Sequence, residues 1–479
     1  MKKLLVVLLS LGLIAALGMT AFAADMKFGG SYYLVGLYED NPSLSQNSYS
    51  HAFFYQRVRL EPVFKIAEGL TFTARMDALE KQWGNTNWKG NTTIAGISSA
   101  DDLTYGRAMG GTETQKIQEN FEFERAYVTF MTGIGMFQVG YQNVDDWGTE
   151  FGNFSNSRPR IAFVTKVGPM ILAAIYEKIY ENDTASPANN MLADSDKDSY
   201  ALTGIYKGKD IEAGLLYKYY DFSNYRQYGI KQMLNLLSPY VKATFGSMYV
   251  EGEMSYWFGK FAKFEAPHLL YPAGTSDIEL NGLSAYLKGQ MNMGPAYFGA
   301  LFSYASGNDL SDKTKFKTSM NGGGTNFAPA LILMNDNLNT WSGGGHVAAN
   351  PANFTSVLGA SPAGTIYNPV TSNKYNTVIY NAFAGYNPTP KLNVEAALTY
   401  AMVDKAAISM NWSTGKIIEA VSDKLGTEFD VTATYKLYDN LSYMVGAGYL
   451  WTGDYFKGAD SNAKVDNDYL LMNKLTLSF

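Results

Sequence analysis

The chain has 479 residues, a formal net charge of -6 from 38 basic and 44 acidic side chains, and no cysteine. An acidic balance opposes nucleic acid as a partner, and the missing thiol excludes a lipid-modified amino-terminal Cys, a disulfide framework, Cys-rich zinc sites and covalently attached haem. Size alone would suggest two or three soluble domains, but 35 Tyr and 46 Gly are spread along one texture that no linker divides, as a single repeating architecture would require.

At the amino terminus Lys2 and Lys3 precede an apolar run from Leu4 to Leu17, and Ala21-Phe22-Ala23 follows. That order reads as a secretory signal peptide (1–23) cleaved after Ala23. Losing Lys2 and Lys3 takes the net charge from -6 to -8. The run is shorter than the ~20 residues a spanning helix needs, and no later apolar stretch comes closer, Met170 to Tyr176 being among the longest. The expected product, 24–479, is periplasmic, secreted or outer-membrane.

Beyond it the sequence alternates. After an opening strand at about Met26 to Tyr38, Val58, Leu60 and Phe64 share one face while Arg57, Arg59, Glu61 and Lys65 share the other. Next, Phe72, Ala74 and Met76 oppose Arg75 and Asp77. Arg125 can be read in either phase, and Arg160 turns to the polar face if Ile161 and Phe163 take the apolar one. Late in the chain Phe429, Val431, Ala433, Tyr435 and Leu437 alternate with Asp430, Thr432, Thr434 and Lys436. A closing strand, Tyr469 to Phe479, repeats the pattern. Period two with one greasy face is a strand, and that face is either a sandwich core or a surface toward lipid.

Two features favour lipid. Tight turns alternate with longer polar loops: Ala67-Glu68-Gly69, Gly133-Ile134-Gly135, Gly168-Pro169, Lys207-Gly208-Lys209, Gly246-Ser247, Met293-Gly294-Pro295, Asn387-Pro388-Thr389 and Tyr438-Asp439-Asn440. Tyr and Trp also gather toward strand ends, as in Tyr256-Trp257-Phe258 or Tyr449 and Trp451, which suits girdles at a membrane boundary. Eight turns make sixteen strands, and the opening and closing strands make eighteen. The expectation is an all-β, closed antiparallel transmembrane barrel of about 18 strands, with 16 as the alternative, short periplasmic turns and long external loops. Pairing the first and last strands would remove every edge.

The signal peptide, the hairpin rhythm and the final strand ending in Phe479 resemble the Gram-negative outer-membrane porins, over the whole mature chain as architecture. The strand number is similar to that of substrate-preferring and alginate-export-like porins. The resemblance implies passive diffusion of small hydrophilic solutes or ions across outer-membrane lipid, and Phe479 as the signal read by the barrel-assembly machinery. It also admits a homotrimer. No catalysis and no cofactor are expected.

Seven of the eight arginines lie early: Arg57, Arg59, Arg75, Arg107, Arg125, Arg158 and Arg160. Guanidinium stays charged at any relevant pH, so a row of them on one lumen wall would favour anions. The porins it resembles set such a wall against carboxylates, and the candidate acids here are Glu251, Glu253, Glu395 and Asp430. Local Arg–Glu pairing in a wet lumen is the plainer alternative.

Two loops could narrow the passage. Trp147 to Ser157 contains Glu150-Phe151-Gly152, which is similar to the acid-Phe-Gly sequence of the inward-folded third loop of general porins. The longest insertion, about 308–374, sets Gly322–Gly324 and Gly343–Gly345 around apolar Ala328 to Met334, which suits a lid with glycine hinges. Asp194, Asp196 and Asp198 alternate like half an EF-hand, but Ser199 and Ile205 stand where its Gly and Glu would be, so no metal site is expected. The histidines, His51, His268 and His346, sit in or near loops with no nucleophile elbow. The other readings carried forward are a β-barrel sheath around a partner such as a cytochrome, and an outer-membrane hydrolase.

Overall fold

The computed structural model describes residues 25–44, 46, 50–83, 122–182, 195–265, 274–335, 338, 374–411 and 416–479. The signal-peptide reading, Arg107, Asp194, His268, His346 and Gly343–Gly345 lie outside them.

The alternating segments become β1 (Asp25–Glu39), β2 (His51–Ala67), β3 (Leu70–Gln82), β4 (Glu122–Thr132), β5 (Gly135–Asp146), β6 (Asn153–Val167), β7 (Met170–Tyr180), β8 (Lys197–Lys207) and β9 (Ile211–Phe222). They continue as β10 (Ile230–Phe245), β11 (Met248–Phe264), β12 (Ile278–Met293), β13 (Ala296–Ala305), β14 (Thr377–Thr389), β15 (Leu392–Val403), β16 (Lys424–Tyr438), β17 (Leu441–Thr452) and β18 (Asp468–Ser478). Each pairs antiparallel with its neighbour, so eighteen strands, not sixteen, make the wall. A two-residue strand, Lys315–Phe316, adds to β12 in parallel, and Ala407–Asn411 pairs with Lys416–Glu419 in a separate hairpin.

Closure joins β18 to β1, with Val35 opposite Lys474 and Ser31 opposite Ser478. The seam ends on two backbone bonds, Gly30 N–H to Phe479 O at 2.9 Å and Phe479 N–H to Gly30 O at 3.1 Å. Gly30 is dictated by this junction: a Cβ there would lie 2.4 Å from Arg59 O and 2.7 Å from Phe479 Cζ. At the turn end Gly69, Gly168, Gly246 and Gly294 take φ of 72°, 58°, 61° and 61°, the left-handed region that tight hairpins need. One turn falls later than the sequence suggests. β14 runs through Asn387-Pro388-Thr389 with an irregular register, and the chain reverses at Pro390-Lys391, where Thr389 Oγ1 accepts the N–H groups of Lys391 and Leu392.

The outer surface is apolar. Leu202, Leu287, Leu398, Val445 and Leu471 are exposed on it, and an isolated patch this extensive requires lipid. Tyr176, Tyr200 and Tyr219 stack side by side toward the loop end, as do Phe302, Tyr380 and Tyr400, while Tyr386, Tyr435, Tyr438 and Tyr443 stand toward the turns. Trp257 departs from the girdle expectation: it turns inward, buried against Tyr220.

The interior is apolar in part. Ala330, Ile332, Leu333 and Met334, from the long insertion between β13 and β14, are buried with Phe327 among Val35, Leu37, Tyr55, Ile379, Ala401, Leu450 and Leu470. The wall strands β1, β2 and β12–β18 thus enclose an apolar plug at the loop end. A second apolar cluster, Leu216, Tyr220, Leu234, Leu236, Trp257 and Phe261, lies on the inner face of β9–β11.

Candidate functional site

Strand parity places the early arginines inside. Arg57, Arg59 and Glu61 alternate with Val58 and Leu60 on β2, and β3 brings Asp77 opposite Arg59. Arg59 grips Asp77 with two bonds, Nε to Oδ1 at 2.7 Å and a terminal nitrogen to Oδ2 at 2.6 Å. Arg57 lies 3.9 Å from both Asp77 and Glu80, with its guanidinium over the Tyr33 ring. Arg75 lies 3.5 Å from Glu61 and 3.8 Å from Asp77. Three guanidiniums thus converge on one deeply buried carboxylate of their own wall.

The ambiguous phase at Arg125 has a cause. Between β3 and β4 the register moves from Arg75 opposite Arg125 to Met76 opposite Phe123, so Glu124 is an extra residue. Glu124 and Arg125 both reach Ser157 on β6, and Arg125 also bonds Asn143 Oδ1 at 2.9 Å. Among the described residues Arg125 has no carboxylate within 4.0 Å.

Farther along the wall, Arg158 meets Asp145 at 2.8 Å, and Arg160 bonds Gln142 at 2.9 Å and stands 4.0 Å from Glu177. Lys218, on β9, sits behind them. Its Nζ is 2.6 Å from Glu177 and 3.1 Å from Asp145. Arg158, Arg160, Asp145, Glu177 and Lys218 line a cavity of ≈ 490 Å³, together with Lys197 and the aromatic side chains of Trp147, Tyr220, Phe222 and Trp257.

The carboxylates expected to oppose the arginines do other work. Glu253 accepts Thr149 N–H at 2.7 Å and its hydroxyl at 2.8 Å, and so holds the connection between β5 and β6 inside the barrel. That connection is 147–152 only, since Asn153 to Ser157 already belong to β6. A Cβ on Gly152 would lie 2.1 Å from Glu253 Oε1, and one on Gly148 would lie 2.4 Å from Oε2, so the carboxylate occupies the space these glycines leave. Glu150 accepts the Tyr286 hydroxyl at 2.8 Å and Lys288 Nζ at 3.2 Å. Phe151 is fully buried, stacked on Tyr286 with centroids 5.4 Å apart and edge-on to Phe327 at 5.3 Å. Glu251 shares Tyr286 at 2.7 Å, and Glu395 accepts the Tyr297 hydroxyl at 2.6 Å.

The long insertion is fastened in the same manner. Glu428 accepts Ile332 and Leu333 N–H, each at 2.7 Å, and Asp430 accepts Leu331 N–H at 3.3 Å. Asn381 and Thr399 donate to Pro329 O at 3.0 and 3.2 Å. Gly324 N–H reaches Phe151 O at 2.8 Å, so the two inward segments bond to each other. Gly322–Gly324 is no free hinge: Cβ atoms on Gly322 and Gly324 would lie 1.9 Å from Lys374 O and Asn153 O. In the outer part of the insertion Lys317 bridges Asp309 and Asp312, and Thr314 and Lys317 hold the Asp312 carboxyl down at about 2.

No protein-family model matches the chain, and no curated protein matches it in sequence. Several solved structures show a distant likeness to it. It is similar to OccK9 (OpdG) of Pseudomonas aeruginosa at 12% identity and TM-score 0.49, over 95% of this chain and 99% of that one. OpdK of the same organism, crystallised with vanillate, gives 11% and 0.48 over 95% and 99%. The outer membrane channel DcaP of Acinetobacter baumannii gives 11% and 0.40 over 96% and 99%.

Two other expectations meet particular contacts. Asp196 and Asp198 face an ammonium, since Lys178 pairs with both, and Tyr176 donates to Asp198. His51 is 2.7 Å from Glu39 and edge-on to Phe53. Sequence alternation overlooked Lys218, Asp145, Glu177, Tyr286 and Glu428. On β7 and β9 the inner faces read Ile175-Glu177-Ile179 and Leu216-Lys218-Tyr220, so apolar character marks no single face there. The available signal was a pair of opposite charges, Glu177 and Lys218, set among apolar neighbours on the two strands that flank β8.

Proposed function

We propose that the chain is an outer-membrane channel for passive passage of small hydrophilic solutes, exported by cleavage after Ala23 and assembled through a Phe479 signal. The observation that carries this reading is the division of the lumen. The apolar plug fills the side enclosed by β12–β18, β1 and the loop end of β2, and the 147–152 segment packs against β10–β12, which leaves the route along β2–β9, where Arg57, Arg59, Arg75, Arg125, Arg158 and Arg160 stand. A plug so fastened argues against a bore that sheathes a threaded protein. Guanidiniums on a narrow passage attract anions through a local field that net charge does not override, because screening at physiological salt acts beyond ~8 Å.

The test is conductance in a planar bilayer, with reversal potentials in a salt gradient. Purified protein should form stable channels that prefer chloride to potassium. Replacing Arg57, Arg59 and Arg75 together by Gln keeps the wall polar and should move the reversal potential toward cations, more at low salt. An absence of channels would overturn the passage reading, and unchanged selectivity in the triple variant would overturn the arginine-wall assignment.

A further inference from the structure

The cavity beside β5–β9 contains a charge arrangement that the wall arginines alone do not explain. Lys218 is 4% exposed, and its one ammonium serves two carboxylates, Glu177 on β7 and Asp145 on β5. Each of those carboxylates also faces a guanidinium that stands nearer the open space: Arg158 for Asp145, with 28% of its side chain exposed, and Arg160 for Glu177, with 19%. Asn156 donates to Asp145 and Ser199 to Glu177, so the acceptors of both acids are largely spent. The other charges of the cavity stand outside this paired group: Glu253 takes Thr149 and Asp146 takes Asn143, both neutral donors, and Lys197 lies over the Phe222 ring.

Three cations therefore meet two anions in this group, and the surplus sits on the two exposed members. Without Lys218 the count within these five paired groups would balance, and Asp145 and Glu177 would bind Arg158 and Arg160 as closed pairs. We infer that Lys218 is a specificity-determining residue of the channel: a concealed counter-charge that touches no solute and leaves Arg158 and Arg160 partly unspent for an anion in the cavity. This rests on the anion-preferring channel proposed above and deepens it. It assigns the preference to a residue outside the arginine row.

The experiment compares single-channel reversal potentials of the full-length wild-type protein, K218M, E177Q and the double variant K218M/E177Q in KCl gradients. K218M should lower the chloride-to-potassium permeability ratio about fivefold at low salt, the factor for one unit charge at ~8 Å through partly wet surroundings. The change should shrink toward nothing at ~1 M salt. E177Q, which keeps the ammonium and removes an acid, should raise the ratio. K218M/E177Q restores the charge count and should return the ratio to the wild-type value, which a packing role for Lys218 would not do.

Should K218M fail to assemble, E177Q still decides, because an unchanged or lowered ratio there overturns the assignment. An anion-preferring wild type whose ratio is unmoved by K218M, or unrescued in the double variant, also overturns it while leaving the channel reading in place. A wild-type channel without anion preference would overturn the anion part of that reading directly, and this assignment with it.

Discussion

The two halves of the lumen solve the same problem in opposite ways. Around β12–β18 and β1 the inward side chains are Ile379, Ala401, Leu450 and Leu470, and the chain brings its own apolar segment to cover them. Around β2–β9 they are Arg59, Asp77, Asp145, Glu177 and Lys218, which cover one another as ion pairs. Apolar interior surface needs a protein partner to exclude water, whereas paired charges tolerate water. The plug is itself tied down by carboxyl groups: Glu428 and Asp430 accept the N–H groups of Leu331, Ile332 and Leu333, which have no strand partner.

The strongest way to break the comparison is at the seam, which both halves need. Deleting Phe479 removes the reciprocal bonds to Gly30 and the ring that lies against it. Outer-membrane yield, followed by fractionation and immunoblot, should fall to near zero, with degraded or soluble periplasmic protein in its place. Normal yield would show that closure does not depend on the last residue.

Removing the plug comes next. Excision of Gly322 to Gly345 takes away Phe327 and the buried run Ala330 to Met334, so the lumen on that side should flood. Single-channel conductance should rise several-fold while the barrel keeps its β-sheet circular dichroism. The wall does not depend on the plug, because all eighteen strands pair with each other. Equal conductance would mean that the solute route never passes the plug.

How far the sequence discloses this division depends on whether the two faces of a strand differ. On β2, Val58 and Leu60 against Arg57 and Arg59 leave no choice, and the strand count and seven of the eight turns follow from such contrast. On β9, Leu215 and Tyr217 face lipid while Leu216 and Tyr220 face the lumen, so alternation is silent and Lys218 goes unnoticed. Arg125 is ambiguous for a different reason, a bulge at Glu124 that a strict period of two cannot show. The roles of Glu253, Glu428 and Asp430 depend on contacts across roughly a hundred residues, which no local pattern encodes. Glu150-Phe151-Gly152 was legible only as a short resemblance; its burial needs Tyr286 and Phe327.

A gentler perturbation loosens the contact between the halves. Phe151→Ala removes the stack on Tyr286 and the edge contact with Phe327, leaving a cavity where the two inward segments meet. For a fully buried Phe the cost is about 3 kcal/mol. The loss should appear as noisier open-channel current and faster proteolysis within 147–152 and 319–335, with strand content unchanged. Quiet channels would mean that Glu253 and Thr149 suffice to hold the segment.

The smallest expected effect lies in the charged half, and its two readouts move in opposite directions. Asp77 is almost fully buried and receives both bonds of Arg59, with Arg57 and Arg75 within 3.9 Å. Asp77→Asn keeps one carbonyl acceptor of the same shape but removes the charge on which three guanidiniums converge. Stability should fall by about 2 kcal/mol, the range for a charge-assisted hydrogen bond that becomes neutral, read as a lower unfolding temperature in detergent. Anion preference should increase, because the freed guanidiniums then face only Glu61 and Glu80. The gain should stay below about fivefold, since Arg59 is already 18% exposed and partly available before the change. A stability loss without a selectivity gain would place Arg57, Arg59 and Arg75 off the solute's route, and would shift the anion preference to Arg158 and Arg160 alone.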